Sequence, residues 1–316
     1  MSRLRIAVIG GGANSEHDVS VASAASVTAA LDPSRYEVLC LTIGRDGVWW
    51  DAAGSAVGLG EVVSLLQGCA VVFPAVHGPR GEDGTLAALL DLAGVPYVGS
   101  GVRAGALGMD KWTTKLVAEA VGVRTAPGLL VTRTLSIPTD IALPVVVKPV
   151  AAGSSHGVTR VDRPDRLPDA IGAALALDDR ALVESYISGR EIDIAVLACA
   201  DGRRIVSAPL EIVVADGLFD TARKYDGTAD FRVPARLTPD EQTLLEQAAL
   251  AIFDALGCAG AARIDFFLTD AGLVLNEVNT MPGMTAQSQV PRMFAARGLT
   301  YPQLLDELVR AAMTAA

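Results

Sequence analysis

Four polar residues have types and spacing suited to phosphoryl chemistry in a predicted β-hairpin, AARIDFFLTDAGLVLNEVNT. The segment alternates apolar and polar positions on both sides of a turn. A turn centred on Ala271 places Asp265 opposite Glu277 and Arg263 opposite Asn279. Because side chains alternate along a strand, these four groups would share one face. The opposite face would carry the apolar residues Ile264, Phe266, Val274 and Val278.

Two carboxylates and an amide at this spacing suit Mg²⁺, which takes one or two carboxylates together with waters and phosphate oxygens. Arg263 would neutralise a transferring phosphoryl group. Further along, Gly283 in TMPGMT would let backbone N–H groups approach an oxyanion. The alternative interpretation is an ion-paired, solvated hairpin face. We favour the metal site of Asp265, Glu277 and Asn279, because a solvated face rarely selects Asn so close to Glu.

A second segment, PVVVKPVAAGSSHGV, combines a lysine at a strand end with a glycine-serine loop. Lys148 ends the buried strand, and Gly153, Ser154 and Ser155 follow in the loop. Backbone N–H and hydroxyl groups of such a loop can cradle phosphates. It is no Walker A loop, because the lysine precedes the glycines. An ordinary surface turn is the alternative, and the neighbouring carboxylate hairpin favours phosphate binding.

The N-terminal loop GGGANSEHDVS only partly matches a dinucleotide-binding fingerprint. Gly10 and Gly12 fit, but Ser15 occupies the third glycine position, which argues against a Rossmann oxidoreductase. What remains is Glu16 at a helix start, able to receive a substrate ammonium. The segment HGPRGEDG places His77 at a strand end, where α/β sheets bind ligands.

Short β-like runs alternate with helical periods, which predicts an α/β fold. We expect three domains: an open parallel α/β sheet over 1–109, a central domain over 110–200, and a C-terminal domain over 201–316. Strands are predicted at 4–10, 36–43 and 70–78, and a capping box of Ser15 and Asp18 is predicted to start the first helix. The third unit has a long helix over 238–257 and a closing helix whose Leu304, Leu305, Leu308 and Ala312 share one face.

Composition excludes several classes of protein. The chain has 316 residues, is 51% hydrophobic and carries a net charge of −10, which argues against a nucleic-acid partner. We expect neither a signal peptide nor a membrane span. Cys40, Cys69, Cys199 and Cys258 lie far apart, so we expect reduced thiols and a cytoplasmic location. Lysine occurs only at positions 111, 115, 148 and 224. A need for charged residues on the surface does not explain why the lysines lie at these positions.

Eight motifs together resemble the D-alanine–D-alanine ligases of the ATP-grasp superfamily, in the same order and from residue 6 to about 310. They are GGANSEHDVSVASA, VHGPRGEDGTL, PYVGSG, MDK, VVVKPVAAGSSHGV, RKYD, ARIDFFL and NEVNTMPGMTAQSQVP. HGxxGEDG and NExNTxPGMT are the most specific. The resemblance implies a three-domain ATP-grasp fold with ATP between the central and C-terminal domains. It also implies an enzyme that joins two D-alanines through an acyl phosphate for peptidoglycan synthesis.

The resemblance assigns roles residue by residue. Glu16 would bind the ammonium of the first D-alanine, and Ser154 and Tyr225 would tie the mobile loop over the site. The predicted ATP contacts are Lys111, Lys148, Ser155, Glu184, Ile187, Glu191 and Lys224. Arg263 and the Gly283 amide would form the oxyanion site, while His77, Ser288 and Gln289 would lie near the second substrate. The metal ligands Asp265, Glu277 and Asn279 would hold Mg²⁺, as two ions, with Mn²⁺ as an alternative. The family is usually dimeric, so we expect a homodimer.

Gln289 departs from the family pattern, which has Leu, Met or Val where the acceptor's methyl group binds. A polar side chain there would suit a hydroxyl-bearing acceptor, or it would turn away from the pocket. An ATP-grasp ligase of a specialised or resistance pathway, using D-serine, D-lactate or another acceptor, is therefore the alternative function. The Lys224–Tyr225 pair argues against D-lactate. The intact site residues argue against an inactive nucleotide-binding paralogue.

Overall fold

The first sheet positions the N-terminal loops. The computed structural model describes residues 3–134, 141–213 and 230–314. The strands of this sheet are β1 (Leu4–Gly11), β2 (Tyr36–Ile43), β3 (Trp49–Asp51), β4 (Ala56–Val57) and β5 (Val71–Pro74). Their order is β4-β3-β2-β1-β5, with β1 parallel to β2 and β5 and the outer pairs antiparallel. The helices α1 (His17–Ala30), α2 (Leu59–Gln67) and α3 (Thr85–Ala93) follow β1, β4 and β5 in the chain. The predicted parallel arrangement of the three main strands is confirmed.

The turn between β1 and α1 differs from the prediction. Glu16 is the N-cap residue of α1 and no side chain caps the helix, so the predicted Ser15–Asp18 capping box is wrong. Asn14 organises this turn instead: its Oδ1 accepts the Glu16 N–H at 2.8 Å, a local bond typical of Asn in turns. Gly11 has φ +80, and a Cβ there would lie 2.1 Å from the Ile43 carbonyl oxygen. Only glycine permits this exit from β1.

The second sheet is antiparallel and carries charged groups on one face. It comprises β6 (Gly128–Thr132), β7 (Val145–Pro149), β8 (Thr159–Val161) and β9 (Arg180–Ser185), in the order β6-β9-β7-β8. A short 3₁₀ turn (Pro164–Arg166) leads into α6 (Leu167–Leu175), which packs on one face against Val145, Val147, Ala181 and Val183. Strand alternation therefore puts Lys148 and Glu184 on the other face.

The third sheet contains the predicted hairpin. Its strands are β10 (Arg190–Ala198), β11 (Arg204–Val206), β12 (Leu210–Val213), β13 (Asp230–Arg232), β14 (Ala261–Thr269) and β15 (Gly272–Asn279). The order is β13-β12-β10-β14-β15, with β11 also on β10. A domain boundary at residue 200 would separate β10 from its partner strands. We therefore propose that the division lies before Arg190.

The remaining helices tie the sheets together. They are α4 (Val102–Met109), α5 (Lys111–Ala120), α7 (Pro239–Leu256), α8 (Gln289–Ala295) and α9 (Tyr301–Thr314). The predicted apolar face of α9 is confirmed, since Leu304, Leu305, Leu308 and Ala312 are all buried. These residues share one core with Phe73 of β5 and Ala261 of β14, so the C-terminal helix joins the first sheet to the third. In the parts of the chain that the structure describes, no helix combines the length and apolarity that crossing a membrane requires.

Candidate active site

The hairpin β14–β15 has the predicted pairing of its polar residues, although its turn differs. Arg263 pairs with Asn279 and Asp265 with Glu277. The pairing of Thr269 with Gly272 encloses two turn residues, which moves the centre of the hairpin off Ala271. One extra residue on β15, Asn276, forms a bulge that restores the predicted register beyond it.

The bulge overturns one prediction. Val274 lies on the turn side of the bulge and pairs with Phe267, which shares the face of Asp265. The prediction that Val274 points away from the site residues is therefore wrong. Leu275 takes its place in the core, where it packs with Ile264 and Phe266.

Two cavities meet beside this hairpin. One, of about 550 Å³, is lined by α1, by the loop that follows β5 and by residues of the third sheet, among others. The other, of about 330 Å³, lies against the second sheet. The two share the wall residues Lys111, Ala152, Glu191, Ile212 and Glu277. We call the 550 Å³ cavity the large cavity and the 330 Å³ cavity the small cavity.

Every predicted site residue within the described part of the chain lines at least one of these cavities. The large cavity is lined by Glu16, His77, Ser154, Arg263, Asp265, Asn279, Gly283, Ser288 and Gln289. The small cavity is lined by Lys148, Ser155, Glu184 and Ile187. Lys111, Glu191 and Glu277 lie on the shared wall. Lys224 and Tyr225 lie outside the described residues.

Arg263 is held between carboxylates at the floor of the large cavity. Its Nε and Nη2 each donate to one oxygen of Asp265 at 2.7 Å, a bidentate geometry. Its Nε also lies 3.6 Å from Asp193 Oδ2, on the neighbouring strand β10. Burial opposes the charge of Arg263, but these carboxylates outweigh it and hold the pKa of the guanidinium above its ordinary value. Arg263 therefore presents a permanent, oriented cation.

The donor set on the hairpin fits Mg²⁺. A carboxylate has about four lone-pair positions, and Asp265 uses three of them, two for Arg263 and one for the Asn279 amide at 3.0 Å. Because a carboxylate only accepts, Asn279 must turn its Nδ2 towards Asp265, which leaves its Oδ1 for another partner. The carboxylate of Glu277 lies on the shared wall, 3.7 Å from Lys111 Nζ. All three residues thus have oxygens of the hard type that Mg²⁺ prefers.

Glu16 presents a carboxylate oxygen to the large cavity. Ser154 Oγ donates to its Oε1 at 2.5 Å, whereas its buried Oε2 accepts no hydrogen bond from the described residues. A Cβ at Gly78 or Gly153 would lie 2.4 or 2.5 Å from that Oε2. The backbones of the two glycines therefore pack closely against this buried oxygen, and a side chain at either position would collide with it. Ser154 reaches Glu16 from a left-handed backbone conformation, φ 52, which is uncommon for serine.

His77 is fully engaged by protein groups. Its Nδ1 lies 2.8 Å from the Met281 carbonyl oxygen and its Nε2 lies 2.8 Å from Ser23 Oγ. Burial lowers the pKa of His77, so the ring is neutral with the proton on Nδ1, because a carbonyl only accepts. Ser23 then donates to Nε2 and accepts the Met284 N–H at 3.1 Å. This chain of bonds ties α1 to the loop that carries Gly283.

Glu82 makes a second link between the same segments. Its oxygens accept the Gly78 N–H at 2.7 Å and the Met281 N–H at 3.1 Å. Burial, reinforced by the charge of Glu16, raises the pKa of Glu82 to about 8. The carboxyl group thus fixes the backbone on both sides of the large cavity.

The end of the large cavity beside Ser288 and Gln289 is built on the start of α8. Ser288, the N-cap residue, accepts the Thr285 N–H at 3.0 Å. Gln289 Nε2 donates to Asp193 Oδ2 at 2.9 Å. The amide side chain of Gln289 therefore lines the cavity while it is anchored on a fully buried carboxylate.

The small cavity is dominated by two lysines and a glutamate. Lys148 Nζ lies 2.6 Å from Glu184 Oε1 and 3.4 Å from Asn276 Oδ1, the bulge residue. Lys111 begins α5 and donates to the Ala152 carbonyl oxygen at 2.7 Å. Burial opposes ionisation of Glu184, but Lys148 and Lys115 outweigh it and hold the pKa of Glu184 below its ordinary value.

Sequence comparison identifies the family. Residues 5–62 and 55–100 match the family described as D-ala D-ala ligase N-terminus, and residues 130–310 match D-ala D-ala ligase C-terminus. The chain belongs to the D-alanine–D-alanine ligase family. It is similar to the D-alanine–D-alanine ligase of Mycolicibacterium smegmatis, at 42% identity over 98% of this chain and 96% of that protein. The family's ATP-grasp fold is therefore the fold of this chain.

Solved structures of this family have the same fold along the whole chain. The VanG D-Ala:D-Ser ligase from Enterococcus faecalis superposes with a TM-score of 0.86 at 32% identity, over 98% of this chain and 100% of that one. The D-alanine–D-alanine ligase from Coxiella burnetii gives 0.86 at 30% identity, over 99% and 94%. The enzyme from Bacillus anthracis complexed with ATP gives 0.84 at 27% identity, over 99% and 98%.

Sequence reasoning missed several residues that shape this family member's site. Asp193 had a detectable signal, since a carboxylate between the apolar residues Ile192 and Ile194 of a buried strand must find a partner. Asn276 and Ser23 gave no such signal, because their roles depend on a bulge and on a helix packing against a distant loop. Lys115 stood out only because lysine is rare in this chain.

Proposed function

We propose that this protein is an ATP-dependent ligase that joins two D-alanines into D-alanyl-D-alanine, forming ADP and phosphate, for peptidoglycan precursor synthesis. The observation that carries the proposal is the meeting of the two cavities at Glu277 and Lys111. A nucleotide in the small cavity would direct its terminal phosphate to that wall. An amino acid held by Glu16 in the large cavity would face it from the other side.

The first step we propose is phosphoryl transfer to the first D-alanine. Its ammonium would bind the carboxylate of Glu16, which lines the large cavity. Its carboxylate would then attack the γ-phosphate, forming an acyl phosphate and releasing ADP, with Lys111 and Lys148 offsetting the phosphate charge. Asp265, Glu277 and Asn279 would hold Mg²⁺, which when bound offsets further negative charge on the phosphates.

The second step we propose is attack by the amine of the second D-alanine on the acyl phosphate, with phosphate as the leaving group. Arg263 and the Gly283 N–H would stabilise the oxyanion that forms on the carbonyl. Ser288 would hold the carboxylate of the acceptor, with Gln289 beside it. Positioning of the two substrates accounts for most of such catalysis. This agrees with the many hydrogen bonds that fix the loop carrying Gly283 and Ser288.

The remaining roles come from the family resemblance. Ile187 and Glu184 would contact adenine, Glu191 the ribose and Ser155 the phosphates. Lys224 and Tyr225 would complete the closed site, and His77 would shape the acceptor end through its bonds to Ser23 and Met281. We further propose that the protein acts as a homodimer in the cytoplasm.

The decisive experiment measures phosphate release from ATP with Mg²⁺ and D-alanine and identifies the product by mass. We expect D-alanyl-D-alanine. We also expect Glu16→Gln to lose the activity, whereas Glu61→Gln, an exposed control on α2 that lines neither cavity, should keep it. D-serine and D-lactate are then added in turn. Slow release with D-alanine alone, accelerated by an acceptor that enters the product, would overturn D-alanine as the second substrate.

A further inference from the structure

Lys115 is the lysine that the proposed function does not use. Of the four lysines in the chain, positions 111, 148 and 224 match phosphate contacts, whereas Lys115 matches none. It lies in α5, one turn after Lys111, and is 6% exposed. A buried ammonium is costly unless it is paired and hydrogen-bonded, so its position requires an explanation.

Lys115 pairs with the same carboxylate as Lys148. Its Nζ lies 2.7 Å from Glu184 Oε2, while Lys148 Nζ lies 2.6 Å from Glu184 Oε1. The three side chains are 7%, 9% and 7% exposed for Lys115, Glu184 and Lys148. Two cations on one buried carboxylate leave the cluster with a net charge of about +1.

The three residues reach the cluster from different directions. Strand alternation puts Lys148 on β7 and Glu184 on β9 on the cavity face of the second sheet, and both line the small cavity. Lys115 comes from α5, donates also to the Ala126 carbonyl oxygen, and is not among the described residues that line that cavity. It therefore acts on a ligand there only through Glu184 and Lys148.

The charge of Lys115 determines how much positive charge Lys148 presents to the small cavity. With Lys115 present, Glu184 is already neutralised and the charge of Lys148 is available to an anion in the small cavity. Without it, Lys148 and Glu184 would form a closed pair with no net charge, and in a poorly solvated site that difference is felt strongly. We propose that Lys115 is a positioning residue that compensates the charge of Glu184 and so reserves Lys148 for the phosphates of the nucleotide. This inference rests on the proposed ATP site.

The test compares nucleotide and amino-acid affinities in Lys115→Met. We expect the KM for MgATP and the Kd for MgADP to rise about tenfold or more, with the KM for D-alanine within about twofold of wild type. Lys115→Arg, which keeps the charge, should recover a large part of the loss. Thr114→Val, a buried neighbour on α5 that bonds the Leu107 carbonyl oxygen, is the control for a disturbed helix and should leave MgADP binding unchanged.

A double variant keeps the inference testable if Lys115→Met alone does not fold. In a Glu184→Gln background there is no charge to compensate, so adding Lys115→Met should change the Kd for MgADP by less than about twofold. An equal loss of affinity in both backgrounds would overturn the proposal, as would an unchanged MgADP affinity in Lys115→Met. Wild-type protein that forms no D-alanyl-D-alanine while Lys115→Met still weakens MgADP would instead refute the proposed reaction.

Discussion

Ser23 and Ser26 offer a matched pair for testing how α1 holds the loop that carries Gly283 and Ser288. Both lie on α1 and both bond the segment after β15: Ser23 Oγ accepts the Met284 N–H at 3.1 Å, and Ser26 Oγ accepts the Ala286 N–H at 3.2 Å. They differ in burial, since Ser23 is fully buried and Ser26 is half-buried. Ser23 alone of the two also bonds the ring of His77.

Ser23→Ala should destabilise the protein much more than Ser26→Ala. It leaves two buried groups, His77 Nε2 and the Met284 N–H, without a partner, at roughly 1–3 kcal/mol each. We therefore expect a loss of about 2–6 kcal/mol in the free energy of unfolding, against less than about 1 kcal/mol for Ser26→Ala, where water replaces the hydroxyl. Alanine gains up to about 0.5 kcal/mol in helix propensity in both variants, so that term cancels in the comparison.

Urea unfolding followed by circular dichroism measures the difference. Because the loop carries Gly283 and Ser288, Ser23→Ala should also raise the KM for D-alanine while leaving that for ATP nearly unchanged. Free energies for the two variants within about 0.5 kcal/mol of each other would refute the bonding assigned to Ser23. So would equal effects of Ser23→Ala on the two KM values.

Three further changes have defined outcomes. Glu277→Gln should abolish turnover without altering the fold, whereas Asp270→Asn, an exposed variant in the turn, should stay active. Phosphate release measures the turnover and thermal unfolding measures the fold. Retained activity in Glu277→Gln would contradict the metal assignment. Gln289→Leu removes the amide that donates to the buried Asp193 and should cost about 1–3 kcal/mol of stability. Gln289→Glu places a second carboxylate against Asp193 and should cost more. A Gln289→Glu variant as stable as wild type would contradict the contact. The raised pKa of Glu82 means that the folded state binds its proton more tightly than the unfolded state between about pH 4.5 and about pH 8, so this group's contribution to stability falls as pH rises through that window. Urea midpoints of wild type should therefore decline with pH more steeply than those of Glu82→Gln, and parallel pH profiles would contradict the shift.

The hairpin shows how far local pattern reasoning reaches. Alternation and an assumed turn predicted that Asp265 faces Glu277 and Arg263 faces Asn279, and the register confirms both pairs. The prediction held because the bulge at Asn276 compensated for the displaced turn. Between the turn and the bulge the compensation is absent, which is why Val274 lies on the unexpected face. A bulge depends on packing around it, and no alternation pattern contains that information.

Contacts between distant segments could not be predicted from local patterns. Lys115 and Glu184 are 69 residues apart, and Ser23 meets Met284 across 261 residues. The sequence showed only that lysine is rare and that the serine lies in a helix. Family motifs identified which residues line the cavities, because such motifs record side chains brought together by folding. They gave no indication of Lys115, which supports Glu184 and Lys148 from outside the small cavity, or of Asp193, which lines the large cavity beside Arg263 and Gln289.

The charges along the two cavities support the proposal that Glu16 binds a substrate's ammonium. Most acidic residues near the shared wall have a cation beside them: Arg263 for Asp265, Lys111 for Glu277, and two lysines for Glu184. Glu16, in the described part of the chain, has the Ser154 hydroxyl and no cation. Burial disfavours a charge that has no counter-ion, so this carboxylate would gain from a positive partner. A zwitterionic amino acid would supply that partner and carry its own carboxylate towards Arg263. The affinity for D-alanine should therefore fall sharply in Glu16→Gln. D-lactate, which has no ammonium, should not restore that affinity.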